Sequence, residues 1–153
     1  MKKIIFSLVI IFIIFFMIVF TTNSGSFLKQ PKAIIKSHSF NLLLAKTDKE
    51  KQIGLSSKKT LSQDQGMLFK FDKADYYSFW MKNMKFPIDI IFIKDGKIVT
   101  IHNKINPPAG ENKALVIYQP EEPADAVLEI SAGLSEKLGF KKGMEIKYEN
   151  IGS

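Results

Sequence analysis

Residues Ile4 to Phe20 form an unbroken block without a single charge, and Ser7 is the only polar side chain in it. Such a stretch has no polar face to turn toward water, so it does not fit as a surface helix of a globular domain. As a helix it would span roughly 26 Å, close to the hydrocarbon core of a bilayer, and Thr21 and Thr22 can extend it. Lys2 and Lys3 precede the block, and the positive-inside rule puts that end in the cytoplasm. We therefore expect three parts. Residues 1–22 are a signal anchor or signal peptide, 23–32 a linker, and 33–150 an extracytoplasmic β-rich domain. The apolar run is longer than the usual signal-peptide core of about 7–15 residues, and no Ala-x-Ala pattern follows it. That favours a single-pass anchor in the cell membrane through residues 4–20 over a cleaved leader that would leave the domain secreted.

Charge and cysteine content remove several classes of function. The net charge is +7, and every basic residue is a lysine. Without arginine the chain lacks the bidentate fork that reads guanine and phosphate, so no nucleic-acid partner is expected. Cysteine is absent, which excludes disulfides, a thiolate metal site, a cysteine nucleophile and a lipidated cysteine. Only His38 and His102 could bring imidazole to a metal. Both lie in polar surroundings and read as surface residues, so no metal site is expected. No glycine-rich phosphate loop, dinucleotide fingerprint, His-Glu-x-x-His or Gly-x-Ser-x-Gly occurs, and no cofactor is expected.

Local patterns then set the fold class. Ile34 to Ala45 alternates through Phe40, Leu42 and Leu44 and predicts one strand. Thr47 three residues before Glu50 is a capping box, predicting a short helix toward Ile53 that Gly54 ends. Asp64-Gln65-Gly66 reads as a turn, Met67 to Phe71 as a strand, and Tyr76 to Met81 as another. Asp95-Gly96 between Asp89–Lys94 and Lys97–Ile105 is the strongest hairpin signal in the chain. Leu115 to Tyr118, Ala126 to Ile130 and Met144 to Tyr148 supply further strands. Ser131 to Leu138 reads as a second helix, with Gly139 just past its end. Connections this short mostly forbid parallel crossovers. The expected fold is mainly β (α+β): a small antiparallel β-barrel or rolled sheet with about two short helices, preceded by an N-terminal transmembrane helix.

Candidate site residues cluster between Phe79 and Asp89. Alternation puts Tyr77, Phe79 and Met81 on one face and Tyr76, Ser78, Trp80 and Lys82 on the other. The single tryptophan beside polar groups, with Asn83 next and Asp89 opening an apolar run, fits a pocket for a small polar ligand or envelope glycan. The bland alternative is that Asp89 tethers the Phe86-Pro87 turn. Glu129, inside Val127-Leu128-Glu129-Ile130, is the second candidate. Facing Asp89 across a cleft it would form the carboxylate pair of a hydrolase acting on envelope material; otherwise it is a salt-bridged glutamate at a sheet rim. A third possibility is a purely structural envelope protein. Trp80, Lys82, Asn83, Asp89 and Glu129 are thus the residues to locate.

Four ordered motifs carry a resemblance. They are Gly66-Met67-Leu68-Phe69, Phe79-Trp80-Met81-Lys82-Asn83, Pro87-Ile88-Asp89-Ile90-Ile91-Phe92-Ile93 and Leu128-Glu129-Ile130-Ser131-Ala132-Gly133. Over roughly residues 40–148 the chain resembles a widespread prokaryotic family, domain-of-unknown-function family 192. The resemblance implies a small, mostly β domain, often behind an N-terminal signal or anchor, and brings no established reaction. The chain departs from the family pattern at Gly54-Leu55-Ser56-Ser57-Lys58, at Met84 where threonine is usual, and at Gly143-Met144 where Gly-Asp is usual.

Overall fold

The computed structural model describes residues 29–109 and 115–152; the apolar block at 4–20 lies outside them. Among the described residues no helix is long and apolar enough to cross a membrane. These residues form nine strands: β1 (Lys32–Ile35), β2 (His38–Ala45), β3 (Gln65–Asp75), β4 (Phe79–Trp80), β5 (Ile88–Lys94), β6 (Lys97–Ile105), β7 (Ile117–Tyr118), β8 (Ala124–Ser131) and β9 (Ile146–Glu149). Two short helices, α1 (Asp48–Ile53) and α2 (Leu134–Lys137), complete the set, with a 3-10 turn at Gly54–Ser57 after α1.

Seven strands make one sheet in the order β6-β5-β8-β3-β2-β1-β9, while β4 and β7 pair as a separate two-stranded ribbon. Every pairing is antiparallel except β2 with β3. A parallel pair needs a crossover, and α1 with its 3-10 turn supplies it. The sheet curls into a half-barrel. Its two edges meet at one end, where Gly143 N–H donates to Ile98 O (2.7 Å), Ile98 N–H to Met144 O (2.9 Å) and Ile146 N–H to Gly96 O (2.8 Å). The fold is therefore mainly β with two helices, as the short connections required.

Local chemistry accounts for the elements that the sequence announced. Thr47 accepts from the Glu50 amide while the Glu50 carboxylate accepts from Thr47, closing the capping box of α1. Asp95 and Gly96 both take positive φ, 50° and 71°, as a two-residue hairpin turn demands. β5 is buried from Ile88 to Ile93 because both faces of the central sheet are covered. On one face Ile91 and Ile93 join Phe40, Leu42, Leu68, Leu128 and Leu134. On the other Ile88, Ile90 and Phe92 join Phe69, Val127, Leu55 and Met81. Strands buried twice read as continuous apolar runs, not alternations.

Three expectations need correction. The single strand expected from Ile34 to Ala45 is the hairpin β1–β2, turning at Lys36 with φ 54°. No glycine, asparagine or proline marks that turn. Tertiary structure supports it instead: the Lys36 ammonium donates to Gly139 O (2.9 Å) just beyond α2. The strand expected over Tyr76–Met81 shrinks to Phe79–Trp80, because its partner Ile117–Tyr118 is only two residues long. The second helix is reduced to Leu134–Lys137, since Ser131 still belongs to β8 and Gly133 turns the chain with φ 79°.

Asp89 joins these parts. It is wholly buried, and its carboxyl accepts four hydrogen bonds. Oδ1 receives the amides of Lys104 (2.7 Å) and Gly133 (2.8 Å). Oδ2 receives the amide (2.9 Å) and hydroxyl (2.5 Å) of Ser135. Ser135 Oγ also lies 2.5 Å from the side-chain amide of Asn103. One hydroxyl proton serves one acceptor at a time, and of Asp89 Oδ2 and Asn103 Oδ1 the carboxylate is the stronger acceptor. Lys104 and Gly133 both have positive φ, so the carboxyl fixes two left-handed backbone positions at once. Replacing Asp89 by asparagine puts an NH2 group among N–H donors and leaves at least one of them unpaired. Asp89→Asn should destabilise the fold by about 2–4 kcal/mol, read as a lower urea midpoint with an unchanged slope.

Candidate functional site

The outer layer of the sheet is incompletely covered, and a groove of about 200 Å³ opens there. Its floor is β3 and β8, through Phe69, Phe71 and Glu129. One wall is α1 and its 3-10 turn, with Lys51, Gln52, Leu55 and Ser56. The other wall is the segment running through β4, with Tyr77, Phe79, Trp80, Lys82 and Met84. Aromatic contacts hold this wall against the floor. Phe71 and Tyr77 stack with centroids 3.6 Å apart, and Phe79 stands edge-on to Phe69 at 5.1 Å and to Phe92 at 5.7 Å. Lys51 Nζ sits 4.8 Å above the Phe71 ring, within cation–π range. Trp80 is 45% exposed, so its ring remains available at the mouth.

Glu129 is the unusual member. It belongs to the central strand β8, opposite Met67 on β3 and Ile90 on β5, so its neighbours along the sheet are apolar. Among the described residues its Oε2 is shut off from solvent and has no hydrogen-bond partner. Burial alone pushes its carboxyl up from the ordinary 4.5 to about 8, because nothing nearby compensates a negative charge. Native buried polar groups are nearly always paired, and an orphan calls for an explanation.

The groove brings together three of the five sequence candidates: Trp80, Lys82 and Glu129. Asn83 is not among its lining residues. It is exposed, with φ 60°, a left-handed position that asparagine tolerates, and it shapes the turn in which Met84 N–H donates to Met81 O. Asp89 does not join them either; its partners are Lys104, Gly133 and Ser135, in place of the nearby lysines and turn amides that sequence proximity suggested. The carboxylate pair of the hydrolase reading is corrected by register. Asp89 lies opposite Ile130, and Ile90 lies opposite Glu129; with strict alternation, Asp89 and Glu129 point to opposite faces of the sheet. Nor is Glu129 a salt-bridged rim residue, since it is buried at mid-sheet. His102 is not a plain surface residue: it packs between Phe92 and Tyr118, its Nε2 2.8 Å from Gln119 O. His38 is exposed, as expected.

Sequence reasoning missed the other half of the site, Lys51, Ser56, Phe69 and Phe71. Phe69-x-Phe71 on one strand face was a usable signal for Phe69 and Phe71. That α1 lies opposite them was not in the sequence at all.

The profile of the DUF192 family, described as "Uncharacterized ACR", matches residues 31–148. Two crystal structures are similar to the chain. A protein of unknown function from Novosphingobium aromaticivorans DSM 12444 is 31% identical, with a TM-score of 0.66 over 77% of this chain and 83% of that one. A protein from Sinorhizobium meliloti 1021, provisionally described as a transcription regulator, is 31% identical, with a TM-score of 0.67 over 80% of this chain and 94% of that one. No curated protein matches the chain.

The raised Glu129 carboxyl has a stability consequence. The folded chain keeps this proton to about pH 8, whereas the unfolded chain releases it near 4.5. The contribution of Glu129 is therefore fully favourable below about pH 4.5 and is lost as pH rises through about 8. Thermal melts of Glu129→Gln should match the parent in acid and exceed it progressively toward alkaline pH. Parallel curves across that range would mean that the carboxyl is not desolvated.

Proposed function

The chain belongs to the DUF192 family of uncharacterised proteins, and from that premise we propose that it is a membrane-anchored extracytoplasmic binding module. Its ligand is a small polar molecule or an envelope glycan, held in the groove over Glu129. One observation carries this reading: Glu129, whose buried Oε2 has no partner among the described residues, lines an open groove walled by aromatic rings. Retaining an unpaired polar group under apolar cover costs about 1–3 kcal/mol. A ligand that supplies the missing partner gives a physical reason for tolerating that cost. A few convergent polar groups in an apolar concavity are also the usual composition of a small-molecule site. The volume falls below the range of about 300–1,000 Å³ typical of drug-sized ligands, so it suits one ring or one side chain of a ligand that continues into solvent past Trp80.

The address rests on the sequence. Lys2 and Lys3 ahead of the apolar block at 4–20 support a cytoplasmic N-terminus, with the domain on the outer side. The competing reading, a purely structural envelope protein, is favoured by the Asp89 clamp, which is wholly architectural; it gives the groove no ligand.

Trp80 is the only tryptophan of the chain and stands at the mouth of the groove, so its emission reports occupancy. With the full chain in lipid nanodiscs, we expect saturable quenching or a blue shift with at least one member of a panel of saccharides, amino acids and short peptides. Lys82→Ala and Glu129→Gln should each weaken that response about tenfold, a loss of one to two hydrogen-bond or charge contacts. A flat emission spectrum across the panel would leave the structural reading standing. For the address, protease added outside intact cells should digest the domain and spare residues preceding the block; a fully protected domain would overturn the assignment.

A further inference from the structure

Charge is distributed unevenly along the groove. Three of its lining side chains end in a carboxyl or ammonium group: Glu129, buried at the floor, Lys51, half-buried on one wall with its Nζ over the Phe71 ring, and Lys82, exposed on the other. The remaining polar side chains are Gln52, Ser56, Ser78 and the Tyr77 phenol. The strands beside Glu129 bring only Met67 and Ile90. A ligand anion placed at the floor would meet a second acid and apolar walls. A bare amine would have to pass two ammonium groups. A neutral sugar would use neither lysine. An ammonium group at the floor gives Glu129 both a donor and a counter-charge, and aromatic faces favour a cation beside them. An acidic group on the same molecule then meets the lysines at the mouth.

We propose that the groove takes an amino-acid-like zwitterion, its basic nitrogen on the Glu129 carboxyl and its anionic end between Lys51 and Lys82. The inference rests on reading the groove as a ligand site. Its proton balance is fixed. The empty groove holds Glu129 as the neutral acid at neutral pH, since its carboxyl is pushed up to about 8. Binding an ammonium ion ionises it, so one proton leaves the carboxyl for solvent and an ion pair remains. Affinity therefore rises about tenfold per pH unit up to about pH 8 and then levels off.

Calorimetry on the full chain in nanodiscs, near neutral pH and in two buffers of different ionisation enthalpy, tests this with δ-aminovalerate, valerate and pentylamine. The expected result is binding of δ-aminovalerate at least tenfold tighter than either truncated analogue, with close to one proton released per ligand. Glu129→Gln should abolish the proton release. Lys82→Ala, an exposed change that spares the fold, should weaken δ-aminovalerate but not pentylamine. Binding of δ-aminovalerate without proton release, or of valerate equally well, overturns the proposal. Saccharides that quench Trp80 while all three probes fail would also overturn it, yet leave the groove a binding site. Silence of Trp80 toward every compound removes both readings.

Discussion

A buried carboxyl that accepts four hydrogen bonds holds the architecture in place. Asp89 sits near the start of β5, yet its donors come from the end of β6 and from the entry to α2. It thereby fixes how an edge strand and a helix close over one face of the half-barrel. Two of those donors belong to residues with positive φ, Lys104 and Gly133, and lysine adopts that conformation only at a cost of roughly 1–2 kcal/mol. Gly133 suits its positive φ; a Cβ there would lie 3.1 Å from Lys104 Cε, a tight contact that the exposed lysine stem can relieve by a small shift. The Lys104–Glu136 ion pair is exposed, so it adds little; the desolvated carboxyl supplies the specificity.

Covering both faces of the sheet gives the central strands their apolar sequence and also creates the groove. One face is sealed by α2, through Leu134, and by Phe140, which stands edge-on to Phe40. Among the described residues, the opposite face is covered by a one-and-a-half-turn helix, a 3-10 turn and the aromatic segment through β4. Those elements lean on the sheet through Leu55, Met81 and Phe79 and leave a gap above Glu129. The two buried carboxyls of this sheet thus differ in kind. Asp89 lies where every acceptor position is answered by the fold. Glu129 lies where the described residues give its Oε2 no partner, and its carboxyl keeps its proton far above the ordinary range.

Several features were legible from local chemistry. The capping box at Thr47 and Glu50, the Asp95-Gly96 hairpin and the alternation in exposure of Tyr77, Phe79 and Met81 against Tyr76, Ser78, Trp80 and Lys82 stand in the structure, the last with only Phe79–Trp80 paired as a strand. Each is decided within a few residues, by a reciprocal hydrogen bond, a backbone conformation or the period of a strand. The β1–β2 hairpin escaped because Lys36 turns the chain with help from Gly139, more than a hundred residues away. Asn83 was picked for chemistry and serves geometry. Asp89 and Glu129 looked alike, each a carboxylate beside apolar residues.

The sequence by itself determined a mainly β domain with two short helices, family membership, and the presence of acids that could not all be solvated, because composition and short-range periodicity carry that information. Tertiary structure alone decided which acid is satisfied. In adjacent strands the register places Asp89 beside Ile130 and Glu129 beside Ile90, sending the two carboxyls to opposite faces. One reaches the loops that donate to it, and the other reaches an aromatic groove. No local pattern encodes that choice, since register is set by pairing between strands some forty residues apart.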